Sequence, residues 1–221
     1  MKIAVLVLPV AMQLAAWAGG QEALWIGAAG ETEMTWRDED ARRCRGITGG
    51  KGHDLILSNR LEKTTSRLRK VFSLPDKPIA KATAVASGMG FYELWMNGAK
   101  VDPTRVLAPG MAKSRTLADS YDVTKLLKSG TENAVGLWLA PGYSDDFSRF
   151  GWMWLAPKRA ILTLTVAYAD GTEGRIVTDG TWESTDATPI LSSSIYHGEV
   201  YDARCEDVLW ATPRGAKTGW K

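Results

Sequence analysis

From Ile161 to Tyr168 the chain alternates. Leu162, Leu164, Val166 and Tyr168 are large and apolar, and Thr163, Thr165 and Ala167 fall between them. A period of two marks a strand with one face buried. Asp170-Gly171 predicts a turn after it, then a β-branched run over Gly174–Thr178 closed by Asp179-Gly180, then a short segment around Trp182. The same reading predicts strands at Leu68–Leu74, Ala80–Ala86, Phe91–Met96, Val135–Leu139 and Ile190–Tyr196, with a first strand at Leu24–Gly27. Helical periodicity is nearly absent. Only Val123–Leu127, with Asp122 as a cap and Ser129-Gly130 as a stop, supports a single turn. Many short strands punctuated by Gly, Pro, Asn-Gly and Asp-Gly predict an all-β protein, an antiparallel β-sandwich or jelly roll.

Two stretches fall outside that pattern. Met1-Lys2 is followed by an apolar run to Ala16 broken by Pro9 and Gln13, and Ala16-Trp17-Ala18 has the small-x-small form that signal peptidase reads. The run is shorter than the roughly 20 apolar residues a membrane-spanning helix needs. Cleavage before Gly19, and a secreted or periplasmic protein with no membrane attachment afterwards, is the expectation. Glu31–Lys63 is rich in charge and Gly and reads as an arm. The expected organisation is a signal peptide (1–18), an N-terminal strand with a charged arm (19–66), the sandwich (67–213) and a C-terminal tail (214–221).

Within the sandwich, the hairpin "GFYELWMNGAKV" combines a turn with an unusual face. Asn97-Gly98 suits a two-residue turn whose central residues need positive φ. Alternation then puts Tyr92, Leu94 and Met96 on one side, suited to a core, and Phe91, Glu93 and Trp95 on the other. Two readings of the second face stand open at this level. It meets a ligand or another domain, or it is an edge of the core closed over by a loop.

Charge and titratable residues remove several function classes. With 27 basic and 25 acidic residues the net charge is +2, so no strong field favours nucleic acid or an acidic surface. His53 and His197 are the only histidines and have no zinc-like spacing to each other or to cysteine. Cys44 and Cys205 form a candidate disulfide, with two free thiols as the other reading. Asp145 and Asp146, in "GYSDDFSRFG", are weak calcium candidates because clustered carboxylates and loop carbonyls are hard oxygen ligands. No other cofactor is expected.

Several segments also carry a family resemblance. "FYELWMNGAKV", "VLAPG" at 106–110, "SYDVTKLLKSGTENAVGLWLAPGY" at 120–143, "RAILTLTVAYADGTEGRIVTDGTWE" at 159–183 and "SSIYHGEVYDAR" at 193–204 resemble the N-terminal domain of bacterial α-L-rhamnosidases of glycoside hydrolase family 78. The Asp-Val-Thr-x-Leu-Leu element is shared with galactose-binding-like sandwich domains of other glycosidases and is unspecific. The Ile-Tyr-x-Gly-Glu-x-Tyr-Asp-Ala-Arg element is particular. The resemblance implies a β-sandwich that stands ahead of an (α/α) barrel holding the catalytic carboxylates. No catalytic residue is therefore expected in this stretch. The expectation is an accessory domain for carbohydrate recognition or scaffolding, or else a piece of a full enzyme whose sandwich only supports the catalytic domain. A rhamnose-containing plant or bacterial glycan, and a catalytic glycosidase domain, are the partners implied.

Sugars bind by stacking C–H faces on aromatic rings and by a few charged hydrogen bonds. Tyr143, Arg149, Trp152 and Trp154, with Phe147 and Phe150, crowd one loop and form a candidate platform, joined by Glu93 and Trp95. The same rings also suit packing under their own loop. Glu199, Asp202 and Arg204 could hydrogen-bond sugar hydroxyls or form an internal Arg–carboxylate network locking the last strand.

Overall fold

A computed structural model describes residues 22–28, 65–105, 108–109, 111–112, 115–142, 158–194, 198–215 and 219–221. Its strands run in chain order β1 (Ser66–Ser73), β2 (Ile79–Met89), β3 (Phe91–Met96), β4 (Ala99–Lys100), β5 (Ala108–Pro109), β6 (Met111–Ala112) and β7 (Arg115–Thr116). They continue through β8 (Ala118–Asp122), β9 (Glu132–Ala140), β10 (Arg159–Tyr168), β11 (Glu173–Val177), β12 (Glu183–Thr185), β13 (Ile190–Ser194) and β14 (Gly198–Tyr201). The single turn expected near Val123 is a short 3-10 turn at Thr124–Leu126, entered through Asp122, whose carboxylate accepts the Thr124 N–H at 3.0 Å.

Two antiparallel sheets face each other. One has the order β12-β1-β9-β3-β4 with β5 also on β3, and the other the order β11-β10-β2-β8. The alternation read from the sequence sets what they bury. Leu68, Tyr92, Leu94, Met96, Leu137 and Leu139 from the first sheet meet Ala82, Ala84, Ala86, Leu162, Leu164 and Val166 from the second, all at or near zero exposure. Each fully buried Leu or Val contributes roughly 1.5–3 kcal/mol by leaving water, so this seam is the main source of stability. The predicted first strand is reduced to a bridge between Ile26 and Ala160, with Ile26 N–H and Ala160 N–H each donating to the other's carbonyl at 2.9 Å. β13 and β14 form a separate two-stranded sheet.

The turns are held by a repeated device. Asp102, Asp122, Asp170 and Asp179 each accept both the backbone N–H and the hydroxyl of the threonine two residues on. At Asp102 the Thr104 hydroxyl, followed by Arg105, holds the carboxyl down at about 2. Short polar side chains that bond their own backbone are what such turns require.

Asn97 does more than tolerate the turn. It has φ 51°, with Gly98 at 85°. Its amide donates to Leu126 O and Asn133 Oδ1 at 2.8 Å each and accepts the Ala134 N–H at 2.8 Å. Asn133 is fully buried; it accepts the Lys128 N–H at 2.9 Å and donates to Lys128 O at 2.8 Å and Thr131 O at 3.2 Å. The two amides thus tie the β3–β4 hairpin to the loop that enters β9. Replacing Asn133 by Ala leaves those backbone groups and Asn97 unpaired in a dry site. The expected cost is about 3 kcal/mol, a fall in Tm of roughly 6–12 °C for a domain of this size. A thermal melt showing a change under about 2 °C would show that this pair does not hold the hairpin.

Candidate functional site

The outer face of the larger sheet collects the residues with chemistry. Because Leu68, Leu94 and Leu137 point inward, their strand neighbours point out. Register lines these neighbours up in two rows. Arg67 pairs with Trp138, which pairs with Glu93; Arg69 pairs with Gly136, which pairs with Trp95, which pairs with Lys100. One row is therefore cation, ring and carboxylate, and the other has a gap at its centre where Gly136 has no side chain.

The ring of Trp210 fills that gap. A Cβ on Gly136 would lie 2.6 and 2.7 Å from two carbons of the Trp210 ring. Trp210 is 2 % exposed, and packs edge-on against Trp95 and Trp138 at centroid distances of 5.7 and 6.2 Å. The segment carrying it is pinned on both sides of the ring. Gly98 N–H donates to Ala211 O at 2.9 Å, and Arg69 Nη1 donates to Trp210 O at 3.3 Å. Further on, Ser184 and Lys221 exchange two backbone hydrogen bonds of 2.9 Å, while the Arg69 guanidinium lies 4.1 Å from the Trp220 ring centroid. Residues 207–215, together with 219–221, thus lie as a strap against the outer face of the sheet.

The charges beneath the strap are largely spoken for. Glu93 accepts Lys100 Nζ at 2.5 Å and the Trp95 indole N–H at 3.1 Å. Arg69 pairs with Glu183 at 3.0 Å. Arg67 differs: it is 3 % exposed, its Nε has no hydrogen-bond partner, and its guanidinium is 4.1 Å from the Trp138 centroid and 5.0 Å from that of Trp210. Burial pushes its pKa down, opposed by the fields of Asp207, Glu206, Tyr201 and Glu93. Two aromatic faces stabilise a desolvated cation by about 2 kcal/mol or more, in place of the ion pair a buried arginine usually has.

The sequence-level candidates separate accordingly. Glu93 and Trp95 do share a face, and both are half-buried there, Trp95 against the Trp210 ring and Glu93 against Lys100. Glu199, Asp202 and Arg204 are not brought to them. Asp202 and Arg204 pair with each other at 2.6 Å, the Arg204 side chain 89 % exposed, and Glu199 accepts the Ser193 hydroxyl at 3.2 Å. The network expected to lock the last strand is therefore a local surface pair, because a spacing of two residues across the 3-10 turn at Ala203–Cys205 lets them meet directly. Cys205 is an exposed cysteine on that turn, and its candidate disulfide partner Cys44 lies outside the described residues. Tyr143, Asp145, Asp146, Arg149, Trp152 and Trp154 also lie outside them. Among the described residues no cluster of His, Cys, Asp and Glu could hold a metal ion.

Sequence reasoning missed Arg67, Trp138, Gly136 and Trp210. Gly136 was the available signal, since a glycine inside an otherwise bulky strand marks a close approach by something else. Gly136→Ala would drive the new methyl into the Trp210 ring and lift the strap, costing about 1–3 kcal/mol. Chemical denaturation measures it, and a variant as stable as the parent would show that the ring does not depend on this gap.

Comparison with known proteins agrees with the sheet arrangement. The family model described as the α-L-rhamnosidase N-terminal domain matches residues 77–221. An α-L-rhamnosidase of Streptomyces avermitilis is 36% identical over 159 residues, covering 70% of this chain and 15% of the relative. One from Formosa agariphila is 36% identical over 162 residues, covering 70% of this chain and 17% of the relative. The crystal structure of the Streptomyces avermitilis α-L-rhamnosidase complexed with L-rhamnose superposes with TM-score 0.66 at 34% identity, over 71% of this chain and 15% of that one. The chain thus spans about a sixth of the length of the curated relatives it matches. It belongs to the α-L-rhamnosidase N-terminal domain family.

Proposed function

We propose that this chain is an exported, non-catalytic accessory domain that acts as a scaffold for an α-L-rhamnosidase catalytic domain. The observation that carries the scaffold reading is the closed outer face. The aromatic and charged side chains that would suit sugar stacking at Glu93 and Trp95 are occupied by Trp210 and Lys100. Trp95 packs edge-on against Trp210 and is half-buried, and the Glu93 carboxylate is tied to Lys100 and the Trp95 indole N–H, so neither side chain is fully open to a sugar. The matched relatives are whole α-L-rhamnosidases in which the shared stretch is a small part, which supports a supporting role beside a catalytic part acting on rhamnose-containing glycans. Export rests on the Met1–Ala18 pattern.

The test is calorimetric titration of the purified chain with L-rhamnose and a rhamnose-containing oligosaccharide, together with an assay on an aryl α-L-rhamnoside. A scaffold should give no saturable heat up to about 10 mM sugar, the range in which even millimolar affinity, about 4 kcal/mol, is visible, and no turnover. Saturable binding with Kd of roughly 0.1–1 mM would replace the scaffold reading with carbohydrate recognition.

A further inference from the structure

The exposed large apolar side chains are not spread evenly. Of the eight exposed among the described residues, five, Leu191, Val200, Tyr201, Val208 and Leu209 at 43, 55, 51, 78 and 49 %, fall in the β13–β14 hairpin and the loop that follows it, while Leu24, Val71 and Leu117 lie elsewhere. Every described residue of β14 is exposed. β13 and β14 pair only with each other, and an isolated two-stranded hairpin is marginal in water. It is nonetheless attached at defined points. Asp202 N–H donates to Pro189 O at 2.8 Å, Thr65 and Thr188 hydroxyls meet at 2.6 Å at its base, and the Tyr201 hydroxyl donates to Glu206. The last bond fixes Tyr201 to the loop carrying Val208 and Leu209. A tethered hairpin that exposes apolar side chains has the character of a docking element.

The charge around it limits the partner. Between Gly198 and Leu209 the carboxylates Glu199, Asp202, Glu206 and Asp207 outnumber one guanidinium, Arg204, which is already paired with Asp202, and the buried Arg67 nearby offsets only part of the charge of Glu206 and Asp207. A second copy would bring these carboxylates against their own kind, so self-association through this surface is opposed by charge. An apolar partner surface rimmed by Lys and Arg fits. Such a surface has an identifiable source, because the shared stretch is only 15% to 17% of the matched relatives and the rest of those enzymes must meet it somewhere. We propose that the β13–β14 hairpin and the Glu206–Leu209 loop form the face that docks on the catalytic portion of an α-L-rhamnosidase, in the same chain or a separate one. This rests on the scaffold reading above and names the surface it uses.

The test uses Val208→Asp and Val200→Asp in two settings: this chain as it stands, and a chimaera in which it replaces the matched stretch of the Streptomyces avermitilis enzyme. In the chain alone each substitution is expected to leave Tm within about 2 °C, since surface changes usually alter stability by no more than about 0.5 kcal/mol. In the chimaera the double variant should lower the unfolding temperature of the whole enzyme by several degrees, or split one transition into two. A fall in Tm in the chain alone would show that these side chains pack internally and would overturn the proposal. A chimaera that melts identically with and without the substitutions would overturn it too. A concentration-dependent dimer of the parent chain, abolished by Val208→Asp, would assign the face to a second copy instead. If sugar titration shows binding while the chimaera still responds, the scaffold-only reading fails and the docking face stands.

Discussion

The architecture outside the core depends on one contact, the Trp210 ring in the gap over Gly136. A strand of the larger sheet lacks a side chain at one outward position, and the ring from the chain's far end occupies the space. Trp95 and Trp138 wall it, and Arg67 lies across its face. Burying an indole at 2 % exposure is worth several kcal/mol, enough to order a segment whose backbone bonds alone would be marginal. Once the ring is seated, the carbonyls of Trp210 and Ala211 fall within reach of Arg69 and Gly98. The β3–β4 hairpin is thereby held from two directions, by the Asn97–Asn133 amides on one side and by the strap on the other.

That contact turns a two-layer sandwich into one with a third, covered face, and this bears on function. The outward tryptophans of the larger sheet, Trp95 and Trp138, both pack edge-on against Trp210 and are half-buried. Among the described residues, the β13–β14 hairpin and the loop after it expose five large apolar side chains beside an acidic rim, features suited to meeting another protein surface. The proposed scaffold role draws on both the family assignment and this geometry.

Much of the fold was legible because it follows from period. Ile161–Tyr168 and Phe91–Met96 alternate cleanly, and their inward and outward sets fell as the alternation required. Asn97-Gly98 marked its turn because φ of 51° and 85° is open to few other pairs. The strap was not legible, since Asp207–Gly215 has no period and the placement of Trp210 comes from a contact across more than 70 residues of sequence, with Gly136. Arg67 was hidden for a similar reason. Nothing local distinguishes an arginine that will be capped by two indoles from one that will reach solvent. The Asp202–Arg204 pair was read as a network because its residue types suit one, whereas a separation of two lets the side chains satisfy each other first.

Amide hydrogen exchange tests the central claim most directly. In the parent chain the N–H groups of Gly98 and Ser184, which donate to Ala211 O and Lys221 O, should be protected. In Trp210→Ala both should exchange at least roughly 100-fold faster, the equivalent of about 2.7 kcal/mol, while amides in the middle of β10 keep their rates. Unchanged protection at Gly98 and Ser184 in that variant would contradict the account, since the strap would then be held by something other than the ring over Gly136.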